Sequence, residues 1–119
     1  MSATEHFQDD CLFCKFGQGI IPVPKLLDEP DHFAIRDIDP QAPTHILIIP
    51  KNHCENAAEV AINQPDVLAA MFTSASKLAG SESLDGYRAV FNTGASAGQS
   101  VFHAHLHLLG GRSFQWPPG

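Results

Sequence analysis

Two short apolar runs, Lys25-Leu26-Leu27 and His32-Phe33-Ala34-Ile35, flank Asp28-Glu29-Pro30-Asp31, whose residue types suit a turn. The pattern predicts a hairpin. His45-Ile46-Leu47-Ile48-Ile49-Pro50 is a continuous β-branched run closed by proline, the mark of a buried strand. Residues 55–62 can form a short helical piece. From Pro65 the period becomes helical: Leu68, Met71, Phe72, Ala75, Leu78 and Ala79 recur at i, i+3 and i+4 and predict one apolar face. Pro65 and Asp66 suit a first turn, and Gly80 suits the stop. Gly86-Tyr87-Arg88-Ala89-Val90-Phe91 reads as a further strand ended by Asn92-Thr93-Gly94, with a loop of small residues running on to Gly98. The last pattern alternates strictly. In a strand, Ala104, Leu106 and Leu108 share one face and His103, His105 and His107 the other. Five strands with short connections, one main helix and a short one predict a mostly antiparallel sheet of the α+β class. Residues 1–119 read as one domain, with residues 1–9 flexible and 110–119 forming a C-terminal tail. The chain shows no repeat or linker.

Composition narrows the class. At 119 residues, 44% hydrophobic and 17% charged, the chain can build one core and is not of disordered composition. The net charge of −6 and the absence of a Lys/Arg run argue against a nucleic-acid footprint, so any bound anion must be held locally by backbone N–H groups and histidines. No secretory signal or long apolar run is present, which predicts a cytoplasmic protein with no membrane partner. Three cysteines make an odd count, and a disulfide framework does not fit a reducing compartment.

The imidazole row is the candidate chemistry. Three histidines in alternation exceed what a half-exposed strand needs, and imidazole serves proton transfer, nucleophilic attack or metal binding near neutral pH. A His-x-His metal pair ranks second, because Gly98-Gln99-Ser100 just before the row suits an anion better than a cation. Cys11-x-x-Cys14 has the spacing of half a zinc site, of a redox pair, or of two ordinary thiols. Asp37 can accept two hydrogen bonds from vicinal hydroxyls, or can serve as a turn residue before Pro40. Asn92 can donate to a phosphate or ribose oxygen, or simply form the turn. Trp116, ahead of Pro117-Pro118, is too large and apolar to be left without a partner.

His103-Ala104-His105-Leu106-His107-Leu108-Leu109 resembles the signature of the histidine triad superfamily. Asp37-Ile38-Asp39-Pro40-Gln41-Ala42-Pro43-Thr44-His45, Asn92-x-Gly94, and Leu109-Gly110-Gly111-Arg112 with Trp116-Pro117-Pro118-Gly119 resemble its Hint branch, the histidine triad nucleotide-binding proteins. The resemblance runs from about Cys11 to Gly119. It implies a five-stranded antiparallel sheet joined across a homodimer into ten strands. It implies a purine nucleoside phosphoramidase, cleaving P–N bonds of AMP- and GMP-type conjugates through a nucleotidyl-histidine. By the resemblance, His105 is the nucleophile, His103 fixes its tautomer, and His107 or Ser100, or the two linked, protonates the amine. The backbone N–H groups of Gly98, Gln99 and Val101 meet the phosphate, and Asp37 the ribose. Ile38, Leu12, Phe13 and Ile35 line the base pocket, although packing alone would also account for the last three. His45 lies at a family position near the α-phosphate, or is a satisfied strand-end histidine. The tail with Trp116 reaches the partner's leaving-group pocket. Some relatives hold a structural zinc through positions matching Cys11, Cys14, His53 and His103, and the chemistry itself calls for no metal. Two other classes remain open: a nucleotide-binding adaptor, and a dinucleoside polyphosphate hydrolase like the Fhit branch, against which the tail argues.

Overall fold

A computed structural model describes residues 7–119. Five strands form one sheet: β1 (Leu27–Asp28), β2 (His32–Arg36), β3 (Thr44–Pro50), β4 (Tyr87–Val90) and β5 (Leu106–Gly110). Their order is β1-β2-β3-β5-β4, and each neighbouring pair is antiparallel. Three helices accompany it, α1 (Leu12–Gly17), α2 (Ala57–Asn63) and α3 (Pro65–Ser81). The α+β class and the antiparallel sheet are as the sequence pattern predicts. None of these helices is long and apolar enough to cross a membrane.

β3 lies at the centre and is buried throughout, so its run of apolar residues feeds both faces. Ile46 and Ile48 pack with Ala34, Leu106, Leu108, Met71, Ala75 and Leu78 under α3. Leu47 and Ile49 pack with Phe33, Ile35 and Phe13 of α1 on the opposite face. Ala104 falls in the first group, so the alternation of residues 103–107 survives, and the imidazoles take the α1 face.

The structure departs from the expected pattern at three points. β5 begins at Leu106, so His103 and His105 precede the strand. The β3 pairing stops at Ile48 opposite Leu106, and the Ala104 N–H donates instead to the Cys54 carbonyl at 2.7 Å. In α3 the buried stripe is rotated. Val67 and Ser74 are inside, while Phe72 is 45% exposed and meets Phe91 edge-on. Ser74 is buried because its hydroxyl bonds His32 Nε2 at 2.8 Å across to β2. Gly80 lies within the helix, which runs on to Ser81. Finally, α1 is a helix that periodicity does not announce. Cys11 is its N-cap, with Sγ accepting the Cys14 N–H at 3.4 Å.

Part of the predicted flexible stretch, residues 1–6, lies outside the described residues. Gln8 is bonded to α1: its carbonyl accepts the Cys11 N–H, and its N–H donates to Cys14 Sγ. The C-terminal tail packs back on the sheet. The Arg88 and Arg112 guanidinium groups both lie over the Phe114 ring, Arg88 donates to the Gln115 carbonyl, and Arg112 donates to the Gln41 carbonyl. Arg112 thus finds carbonyls and an aromatic face.

Candidate active site

Each histidine of the row has a different set of neighbours, and these fix its tautomer. The His103 ring is fully buried and donates from Nε2 to the Pro50 carbonyl at 2.7 Å. A carbonyl only accepts, so the neutral ring keeps its lone pair on Nδ1. Burial holds His103 near a pKa of about 4, well below the usual imidazole range. The backbone carbonyl of His103 accepts Nδ1–H of His105 at 2.7 Å. His105 therefore carries its lone pair on Nε2. The Phe13 ring meets it edge-on, with centroids 5.2 Å apart, and limits its rotation.

His107 is set by a longer chain. The Gln41 backbone N–H donates to His45 Nδ1 at 3.0 Å. The proton of His45 must then sit on Nε2, which faces His107 Nδ1 at 2.9 Å. His107 consequently bears its proton on Nε2. That atom is buried and has no hydrogen-bond partner among the described residues. Burial lowers His45 and pushes His107 down to about 4, so both rings are neutral at pH 7 and each carries the single proton the chain requires. Asp37 Oδ2 lies 3.4 Å from His45 Nε2, and its Oδ1 accepts the Asp39 N–H at 2.8 Å. The ring with this unpartnered N–H lies beside the His105 ring, with centroids 4.9 Å apart.

The loop before the row is a short 3₁₀ turn, Ala95–Ala97, between Gly94 and Gly98. Both glycines have φ near +90°, where a side chain would be strained. The Gly98 and Gln99 N–H groups, expected to meet an anion, donate within the loop to Ala95 and Gly94 carbonyls. The N–H groups of Ser100 and Val101 have no such partner among the described residues. The Ser100 side chain is exposed, and the Asn92 amide nitrogen lies beside Gly98.

The remaining expected positions fall in two groups. Phe13 and Ile35 are buried in the α1-side core. Leu12 is half exposed, Ile38 is fully exposed and Trp116 is 82% exposed. His45 and the Pro50 carbonyl are the parts that local patterning undervalues. His45 pairs opposite Leu109 while His107 pairs opposite Leu47, so the two rings meet diagonally across the sheet.

Cys11, Cys14, His53 and His103 offer four donor atoms within 4.8 Å of one another. The Sγ–Nδ1 separations are 3.3 Å for Cys11–His103 and 3.5 Å for Cys14–His103 and Cys14–His53. With Zn–S and Zn–N bonds of their usual lengths, a tetrahedral zinc has an S···N edge of about 3.5 Å. The donor set and spacing therefore fit such an ion. Burial pushes the Cys14 thiol up to about 11, so a cation entering here displaces its proton.

Residues 18–114 match the HIT domain family. The chain belongs to the HIT domain family. The HIT chain is 50% identical in sequence to a HIT family hydrolase from Legionella pneumophila, with a TM-score of 0.87 over 92% of this chain and 100% of that one. It is similar to a histidine triad nucleotide-binding protein from Candida albicans, at 32% identity and a TM-score of 0.78, over 92% and 85% of the two chains. A 14 kDa zinc-binding protein of Zea mays is 44% identical over 91% of this chain and 87% of its own length.

Proposed function

We propose that this HIT protein is a nucleotide-binding hydrolase that cleaves the P–N bond of purine nucleoside 5′-phosphoramidates. The observation that carries the reading is the pairing of an unshared lone pair on His105 Nε2 with an unpartnered N–H on His107 Nε2. A displacement at phosphorus needs both, a nucleophile and a proton for the departing amine. His105 Nε2 attacks phosphorus, the P–N bonding pair leaves with the amine, and the amine takes a proton. Water then attacks the nucleotidyl-imidazole, releasing the nucleoside monophosphate and restoring His105. In the ligand-free site burial keeps His107 neutral. A bound phosphate anion favours a protonated, positively charged His45–His107 pair, so the substrate's own charge raises the supply of protons for the leaving group. Ser100, Asn92 and the N–H groups of Ser100 and Val101 face the phosphate oxygens, and Asp37 takes the ribose hydroxyls. Cys11, Cys14, His53 and His103 hold a structural zinc. The relatives described as a hydrolase, a nucleotide-binding protein and a zinc-binding protein support the hydrolase, nucleotide and zinc parts of this reading.

The test compares adenosine 5′-phosphoramidate with diadenosine tetraphosphate. The phosphoramidate should win in kcat/KM by about 10²-fold or more, roughly 2.7 kcal/mol of transition-state discrimination. Equal or better turnover of the polyphosphate would overturn the reading.

The protein acts as a homodimer through β4. This strand ends the sheet, and no strand among the described residues pairs with its outer edge. Tyr87 and Phe72 are exposed nearby, at the side a second copy would cover. Phe114 fastens the tail to its own subunit and leaves Trp116 projecting, which suits a reach into the partner's leaving-group pocket. Removing Phe114–Gly119 should change relative turnover across a series of leaving amines by more than about fivefold, with the melting temperature within a few degrees. An unchanged selectivity profile, with the dimer intact by sedimentation, would mean that the tail plays no part in the pocket.

A further inference from the structure

The most fully bonded side chain near the loop has no titratable group. Gln99 is 4% exposed. Its Oε1 accepts the Gly94 N–H at 2.9 Å, while its backbone N–H donates to the Gly94 carbonyl at 3.1 Å. Gly94 is thereby gripped at both polar groups, and residues 94–99 close into a ring. The side-chain Nε2 donates to the Glu55 carbonyl at 2.7 Å and the Val101 carbonyl at 3.1 Å. Both amide protons are engaged and the oxygen accepts one bond, so this side chain has no donor left for a phosphate.

These bonds join the loop to the segment after β3. The same segment accepts the His103 ring at the Pro50 carbonyl and the Ala104 N–H at the Cys54 carbonyl. The stretch from Gln99 to Ala104, which lies outside the sheet, is thus tied to residues 50–55 at three carbonyls. Orientation of the peptides matters here because a carbonyl oxygen turned toward a phosphate repels it, whereas an N–H attracts it. Gln99 draws the Val101 carbonyl onto itself, and the N–H groups of Ser100 and Val101 are the ones left without partners among the described residues.

We infer that Gln99 is a positioning residue that gives the loop its polarity: by closing residues 94–99 on Gly94, tying them to the Glu55 carbonyl and keeping the Val101 carbonyl on the protein side, it fixes the loop in the form that leaves the Ser100 and Val101 N–H groups for the substrate's phosphate. The inference rests on the nucleotide reading above and deepens it. Gln99 itself touches no substrate atom.

Two substitutions and one measurement on the unaltered protein test this. Gln99→Met keeps the length of the side chain without donor or acceptor. Gln99→Glu sets a carboxylate oxygen against the carbonyls of Glu55 and Val101. Titration calorimetry compares AMP with adenosine, which share base and ribose and differ in the phosphate. AMP should bind about tenfold or more weakly to the Met variant, and more weakly still to the Glu variant, with adenosine within about twofold of the unaltered protein. A purely structural role would weaken both ligands in parallel, and that result, or unchanged AMP affinity, overturns the inference. If a variant fails to fold, amide NMR of the unaltered protein decides. The Ser100 and Val101 N–H resonances should shift with AMP and not with adenosine, and an equal response to both, or to neither, sinks the assignment. If the unaltered protein binds neither compound, the nucleotide reading falls first. If it binds AMP normally and only the Gln99 results fail, that reading stands and the positioning role does not.

Discussion

His105→Ala should lower kcat/KM for phosphoramidate hydrolysis by about 10³-fold or more, while nucleotide affinity stays within about tenfold, roughly 1.4 kcal/mol. His103, itself fully buried, spends Nε2 on the Pro50 carbonyl and turns Nδ1 toward Cys11 and Cys14. His107 receives His45 at Nδ1 and is protonated at Nε2. Only His105, with Nδ1–H fixed on the His103 carbonyl, offers a lone pair to an incoming phosphorus. Removing it should leave the binding surfaces in place, because the phosphate loop and Asp37 are built from other segments. Mass spectrometry of the acid-labile adduct formed during turnover checks the assignment. An adduct on His103 or His107 would falsify it.

What could be read from the chain beforehand divides according to how local the determinant is. The strand at Thr44–Pro50 was legible because an unbroken β-branched run has few other homes. The existence of α3 was legible from its period. Its phase was not, because burial of Ser74 depends on a hydroxyl partner, His32, in a distant strand. α1 is not legible in the pattern, for a physical reason. Leu12–Gly17 is too short to show a period, and its first turn is set by a Cys11 cap. The alternating histidines marked the candidate site, yet the atom that bears each proton follows from Pro50, Gln41 and His45. Those contacts come from strand register, a long-range property that the alternation of one segment does not encode. The Gln99 bonds are of the same kind, since one of them crosses 44 positions to Glu55.

Protein prepared without a metal-affinity tag should carry about one zinc per chain, and stripping it should lower the melting temperature by roughly 10 °C or more, the effect of a loss of about 2 kcal/mol in a domain of this size. The four donors come from three separate pieces of chain: Cys11 and Cys14 from the start of α1, His53 from the segment after β3, and His103 from the approach to β5. A cation there closes long loops that otherwise meet through modest S···N contacts, and it relieves a buried thiol held protonated near 11. It would also bear on the chemistry, because the His103 carbonyl that orients His105 belongs to a residue whose ring would hold the metal. Cys14→Ser should therefore lose both the metal and most of the turnover. Cys54→Ser should keep the metal, since Cys54 lies in the other core and its Sγ accepts only from Gln64 among the described side chains. The decisive measurement is elemental analysis paired with thermal melts before and after chelation. Metal-free protein as purified, with freely titratable Cys11 and Cys14 and a melting temperature indifferent to chelator and added zinc, would reduce the pair to ordinary thiols and leave His103 held by the Pro50 carbonyl alone.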